Sequence, residues 1–499
     1  MKTLLMHRDR DFNPQAALPP QAEDLTLDLG LDLLFDAMAG GDKFLREIAQ
    51  RGVLCSLHDP DDIVYRQEVL EDCLRHPETV RGVYDLVVEA ISRERQIHGF
   101  YFFAKSPDLI LSRSVQMLDM LVGMLQRLRA IAREHHSAFR SRGFTQLFAM
   151  LAQELDEEYF RTLQGHLREL RLERGVLLSA HLGLGGKGKD YVLHVPPPET
   201  RSLVHRLLGK RRKTYSFEIA DRDEAGHQAL SELRGRGINL VANALAQSAE
   251  HVLSFFALLR AELGFYVGAL NLHDALDVKG EPTCIPRALP LGSGHMSAAG
   301  LYDICLSLTL DGRAVGNDLA ADGKALVLIT GANQGGKSTF LRSMGVAQLM
   351  MQCGMFVGAQ SFAADVCSVI LTHFPRPEDA ALKSGRLDEE LGRMSQAVDL
   401  VRPGGLLLCN ESFSSTNEQE GSEIGRQIIR VLVEAAVKVF FVTHFYDLAE
   451  GFLREGSDRT LFLRALREQD ARRSFRLAIA GPLPTSYGAD LYTEVFGDD

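Results

Sequence analysis

The sequence predicts a mostly α-helical region with a small β insertion, followed by an α/β region built on a mostly parallel sheet. Three observations carry that prediction. Residues 108–174 contain no proline and are rich in Leu, Met, Arg and Glu, so long helices are expected there. Further on, apolar runs at Leu326–Thr330, Leu406–Cys409 and Val437–Thr443 alternate with helical patterns, as strands do in a sheet covered by helices. The first of these runs enters a glycine-rich turn, Gly331-Ala332-Asn333-Gln334-Gly335-Gly336-Lys337-Ser338-Thr339. That turn feeds a helical pattern, Phe340–Met351.

Composition narrows the class. A chain of 499 residues is too long for a single core, so two to four domains are expected. The 45% hydrophobic residues are enough to fill sizeable cores. Mean hydropathy is -0.05, and no window reads as a membrane span of about 20 apolar residues. The first fifteen residues, MKTLLMHRDRDFNPQ, hold too short an apolar stretch for a secretory signal. The seven cysteines form no CxxC pair and read as reduced, mostly buried thiols of a cytoplasmic protein. A net charge of -11 argues against indiscriminate nucleic-acid binding but leaves room for a local basic face.

Residues 1–28, with Pro14, Pro19 and Pro20, read as a loosely ordered lead-in, and helical patterns begin near Leu29. Asp59-Pro60-Asp61-Asp62 is a helix start, with Asp59 as N-cap, Pro60 at the first helical position and acids in the first turn. Ser106-Pro107-Asp108 repeats that signal. Unbroken, the stretch after it would make roughly 100 Å of helix, and Gly143 is the expected interruption. At Gly175 the pattern changes. Val176–His181 and Tyr191–Val195 read as a β-hairpin around Gly183–Lys189, a mobile tip carrying Lys187 and Lys189. Lys213–Ile219 is a candidate third strand, and a long helix returns from Glu224 to about Phe265. This is the outline of an arm with a tip. The expected organisation is a lead-in at 1–28, a helical region at 29–270 with a β insert at about 175–220, and an α/β region at 271–499.

Arg201, Arg206, Lys210, Arg211, Arg212 and Lys213 make a local basic patch, because no acid occurs between Glu199 and Glu218. It suits a nucleic-acid phosphate backbone, and equally a solvated helix face.

The chemistry centres on the glycine-rich turn. Gly331, Gly336, Lys337 and Ser338 fit G-x-x-x-x-G-K-[ST], a P-loop. At average composition a chain of this length should hold roughly 0.02 such matches. The glycines let backbone N–H groups wrap phosphate oxygens, and the helix N-terminus adds favourable partial charge. Lys337 would reach the β- and γ-phosphates of ATP, and the Ser338 hydroxyl would ligate Mg2+. The next strand ends in Asn410-Glu411, where P-loop proteins place a carboxylate that steadies Mg2+ and an acid that orients the attacking water. Glu411 is the candidate general base. Asn410 can accept from a Mg2+-bound water but brings no charge, so Mg2+ should bind more weakly. The third strand ends at His444, placed to sense a γ-phosphate. Ser384-Gly385 opens a helix with acids in its first turn; capping explains these residues, and such a start can also approach a phosphate on a second subunit.

Four motifs occur in order: Thr330–Thr339, Asn410-Glu-Ser-Phe-Ser-Ser-Thr416, Thr443-His444-Phe445 and Ser486-Tyr-Gly488. Together they resemble the ATPase domain of the MutS DNA mismatch-repair family, an ABC-type P-loop NTPase fold. Asn317-Asp318 resembles that family's adenine-side motif. The helical half, with Phe35-Asp36, Arg66-Gln67 and long helices flanking an insert, resembles the family's core and lever region. The resemblance implies a homodimer with composite ATP sites, Ser384 of one subunit facing ATP held by Lys337 of the other, and arms closing on DNA that is mismatched, branched or otherwise distorted. Three departures stand out: no room for the mismatch-reading domains, a reduced clamp, and Asn410 in place of the family Asp, with Ala314 where an adenine-stacking aromatic is common. A shortened, slowly hydrolysing member is therefore expected. Other readings are a ribosome- or RNA-associated factor and a nearly non-hydrolysing clamp.

Overall fold

The computed structural model describes residues 1–100, 106–173, 175–195, 215–376, 385–467 and 473–484. The chain divides into two compact units. One holds Met1–Thr3, Arg81–Phe139 and Thr145–Arg260; the other holds Leu4–Val80, Arg140–Phe144 and Ala261–Asp499.

The helices of the first half are α1 (Ala22–Leu29), α2 (Leu31–Ala39), α3 (Lys43–Leu54), α4 (Pro60–Arg75), α5 (Pro77–Phe100), α6 (Pro107–His135), α7 (Arg142–Glu154) and α8 (Glu157–Leu170). The start signals act as the sequence predicts. The Asp59 carboxylate accepts from the Asp61 N–H, with Pro60 opening α4. The Ser106 hydroxyl accepts from the Leu109 N–H at the head of α6. The proline-free stretch is not one rod. It divides into α6, α7 and α8, and α7 begins one residue before Gly143. A Cβ on Gly143 would lie 2.6 Å from a Val69 methyl, so the glycine serves close contact with α4.

In the first unit, α6 packs on α8, and the Arg129 guanidinium lies over the Phe160 ring while pairing with Glu157 at 2.9 Å. Strands β1 (Leu177–Leu182) and β2 (Gly188–His194) form the expected antiparallel hairpin. Residues 215–219 form no strand, and the rest of that expected third strand lies outside the described residues. Helix α9 (Glu224–Val278) is 55 residues long and continues past its expected end near Phe265. The hairpin base meets it where Leu178 covers Gly237. Contrary to the composition reading, α9 contains an 18-residue window of mean hydropathy 1.5, apolar enough to cross a membrane. That window is 67% buried in the fold, where core packing accounts for its apolarity.

The second unit carries a mixed four-stranded sheet and a six-stranded one. Its remaining elements are β3 (Arg287–Leu289), β4 (Met296–Leu301), α10 (Ile304–Thr309), β5 (Asn317–Ala320), β6 (Leu326–Gly331), α11 (Lys337–Gln352), β7 (Ser361–Asp365) and β8 (Ile370–His373). They are followed by α12 (Arg386–Leu400), β9 (Leu406–Asn410), α13 (Glu418–Glu434), β10 (Lys438–Val442), α14 (Tyr446–Glu455), β11 (Thr460–Arg467) and β12 (Arg473–Ile479). The small sheet runs β3-β7-β4-β5, and the large one β12-β11-β6-β10-β9-β8. All pairs in the large sheet are parallel except β11–β12. Strand alternation sends Leu326, Leu328, Leu407, Cys409, Val439 and Phe441 into one core with Met394 of α12, Ile429 and Leu432 of α13 and Leu448 of α14. Helix α11 packs against β6, β9 and β10 and is buried along nearly its whole length.

The division expected at residue 270 falls inside a continuous helix, and residues 4–80 belong with the α/β unit. The lead-in is not loose. Buried Glu262 accepts from the Leu5 and Phe12 N–H groups at 2.6 and 2.8 Å. Tyr266 donates to the Leu5 carbonyl, and the wholly buried Arg66 donates to the carbonyls of Met6 and Cys353. A polar strap with Leu5 and Met6 in the core carries no helical or strand periodicity, which is why its order escaped the sequence reading.

Candidate functional site

Strand β6 is interior to the large sheet, between β11 and β10, and runs straight into the glycine-rich turn. Gly331 and Gly336 stand at φ 108° and 90°, a region nearly closed to residues with a Cβ. Space is short as well: a Cβ on Gly331 would come within 2.9 Å of the Ala465 nitrogen on β11. Helix α11 starts at Lys337, whose buried ammonium donates to the carbonyls of Gly331 and Ala332 at 2.9 and 3.1 Å. Burial lowers the Lys337 pKa, and the nearby Glu411 carboxylate opposes that shift.

The turn opens on a cleft of about 410 Å³. Gln334, Gly335, Gly336, Lys337, Ser338 and Thr339 line it, together with Asn317 and Glu411. Strand β9 lies next but one to β6, so Asn410 arrives beside the head of α11, and the Ser338 hydroxyl donates to Asn410 Oδ1 at 2.8 Å. Glu411 follows with φ 49°, its N–H bonded to the Val442 carbonyl on β10. Lysine and serine from the head of α11 and asparagine and glutamate from the end of β9 thus converge on one edge of the sheet.

Ser338 and Asn410 offer neutral hard-oxygen donors side by side, and Glu411 the nearby carboxylate. This set fits Mg2+ held mainly by nucleotide phosphates and water. Among the described residues no group of three His, Cys, Asp or Glu could hold a metal alone.

Other expected residues fall differently. The Asn317 side chain bridges main chain, donating to the Phe475 carbonyl at 3.2 Å and accepting from the Leu477 N–H at 2.7 Å. It lines the cleft while anchoring β12 to β5. Gly331, Ala332 and Asn333 shape the turn without lining the cleft. His444 is exposed, its ring edge-on to Phe445 at 4.6 Å, and is not among the lining residues. Lys187 and Lys189 sit on the hairpin in the first unit. Ser384, Arg201, Arg206, Lys210, Arg211, Arg212, Lys213 and Ser486–Gly488 lie outside the described residues.

The sequence reading missed Phe475. It is half exposed on β12 and lines the cleft beside Ala314, so an aromatic face is present there although residue 314 is alanine. Asp303, Leu306, Leu310, Arg313 and Val315 complete the wall. No motif announces a single phenylalanine on an edge strand; only the sheet order brings it over the turn.

The class this architecture defines is a protein with a helical region and mixed α/β sheets, with a glycine-rich turn opening on a cleft at the carboxyl edge of the larger sheet. The family model described as the MutS2 N-terminal domain matches residues 58–279, and that of MutS domain V matches residues 327–493. Curated relatives include the DNA mismatch repair protein MutS of Alkaliphilus oremlandii, 22% identical over 57% of this chain and 31% of the relative. The protein of the same name from Thermotoga sp. (strain RQ2) is 36% identical over 27% of this chain and 17% of the relative. That from Desulforamulus reducens is 32% identical over 35% and 22%. The chain belongs to the MutS family. It spans less than a third of the length of these curated relatives.

Proposed function

We propose that the chain is an ATP-dependent DNA-binding protein with an ABC-type P-loop site, working as a homodimeric clamp on mismatched, branched or otherwise distorted DNA. The observation that carries the reading is the Ser338–Asn410 hydrogen bond, with Lys337 and Glu411 in the same cleft. It brings the two halves of a nucleotide-hydrolysing site into contact.

ATP phosphates would replace the Gly331 and Ala332 carbonyls as partners of the Lys337 ammonium. Mg2+, when bound, would supply charge to the phosphates and order their oxygens. Glu411 would orient and deprotonate the attacking water, and His444 would approach the γ-phosphate once the site closes. Asn317 holds β12 in place, and Phe475 offers a face to the base. Ser384 would reach the partner's nucleotide, and the basic residues at 201–213 with Lys187 and Lys189 would meet DNA phosphates. The seven free cysteines suit a reducing cytoplasm. The neutral Ser338–Asn410 pair favours a slow switch over rapid turnover.

Binding to matched duplex, mismatched duplex and branched DNA, each with and without a non-hydrolysable ATP analogue, tests this reading. Nucleotide-dependent affinity for distorted DNA is expected. Identical affinity in every arm would refute it.

A further inference from the structure

The turn that carries Glu411 is gripped from behind by residues the proposed chemistry does not use. Strand β8 pairs in parallel with β9, with His373 opposite Cys409. That register sets the His373 ring beside the chain as it leaves β9, where it stacks on Phe413 at 5.7 Å. Both residues are buried. His373 Nδ1 lies 2.7 Å from the Ser412 hydroxyl, and Nε2 lies 3.0 Å from the main-chain carbonyl of Glu390 in the second turn of α12.

A carbonyl can only accept, so Nε2 carries the proton. Burial and the neighbouring Arg393 guanidinium hold the ring neutral, with its pKa down to about 4. Nδ1 is then a bare acceptor, and the Ser412 hydroxyl donates to it over the shorter of its two contacts, the other being the His373 main-chain carbonyl at 3.2 Å. Burial pushes the Glu390 carboxyl pKa up, and the Phe413 main chain of the same turn opposes that shift. Arg393, one turn further along α12, donates to the Phe374 carbonyl at 2.9 Å. Meanwhile Glu411 and Phe413 hold φ 49° and 67°, left-handed values that a residue with a Cβ adopts only under constraint.

We propose that His373 is a positioning residue. Through Ser412 on one side and the Glu390 carbonyl on the other, it ties the placement of α12 to the placement of Glu411. The proposal rests on the reading of Glu411 as the general base. A shift of α12 would therefore reach Glu411 through one imidazole.

The test uses the full chain and three variants. His373→Phe keeps the ring on Phe413 but removes both nitrogens. Ser412→Ala removes the donor. His373→Gln restores one donor and one acceptor. We expect His373→Phe and Ser412→Ala each to lower kcat about tenfold with KM for ATP changed less than about twofold. The double variant should be no slower than either single one, and Gln should recover most of the rate. Independent, multiplying losses would overturn the proposal, as would a folded His373→Phe protein with unchanged kcat. Amide exchange gives a second readout that needs no turnover: residues 411–414 should exchange faster in His373→Phe while α11 does not change. Unchanged exchange there would also overturn it. A wild-type chain that neither binds nor hydrolyses ATP would instead refute the proposed function, leaving the exchange result to judge the linkage.

Discussion

Two turns leave the same edge of the large sheet, and both enter the left-handed region by different means. The turn after β6 uses glycine at φ 108° and 90°, with Gln334 at 60° between them. The turn after β9 uses Glu411 and Phe413 at 49° and 67°. The first is relaxed by composition at Gly331 and Gly336, though not at Gln334. The second is strained and held by side chains from β8 and α12. A glycine turn can cradle an anion with main-chain groups alone, so it needs no side chain at its sharpest points. On the proposed reading of Glu411 as the general base, the β9 turn presents a carboxylate, so glycine is not open to it at residue 411 and the strain accompanies that carboxylate.

The largest expected effect separates the turns by task. Glu411→Ala should lower phosphate release by about 10²–10³-fold while ATP affinity stays within a few-fold. Comparable losses of rate and affinity would erase the distinction. The next effect is in pH. His373 holds the β9 turn as a neutral ring, with its folded pKa down to about 4, and a depressed folded pKa means stability that is present above pH 6.5 and lost on acidification towards 4. The full loss is about 3 kcal/mol. Denaturant midpoints should fall over that window, and His373→Phe should flatten the fall. Buried His7, held down to about 3, adds a slope of the same sign that persists in the variant.

Gly331→Ala should destabilise by about 2 kcal/mol, because the new Cβ would meet the Ala465 nitrogen at 2.9 Å and φ is 108°. A melt matching wild type would show that the first turn has slack. The smallest effect is at the contact between the two turns. Asn410→Asp should raise turnover a few-fold at limiting Mg2+, by adding a charge where Ser338 now meets an amide oxygen. A rate independent of that charge would remove Asn410 from the metal's surroundings.

The two turns also differ in how far they could be read in advance. Everything the β6 turn needs is local, so nine consecutive residues with a strand before and a helix after were enough. Glu411 was legible because a strand end is local too. Its support was not: His373, Glu390 and Ser412 meet only through β8–β9 register and the packing of α12; His373 and Glu390 have no motif of their own, and the 410–416 motif that holds Ser412 does not show its partner. Asn317 was found by its pattern, but its part as a bridge to β12 and the arrival of Phe475 at the cleft depend on an antiparallel edge strand far along the chain. The strap at residues 4–12 was missed for a related reason: its order comes from Glu262, Tyr266 and Arg66, not from its own periodicity.

One measurement reaches the centre of this account: phosphate release and thermal midpoint recorded on the same Glu411→Gly protein. If the β9 turn accepts strain in order to place a catalytic carboxylate, glycine should abolish turnover and stabilise the fold by about 1 kcal/mol, a rise of about 2 °C or less in a chain of this size. Retained turnover, or a midpoint that falls, would contradict it.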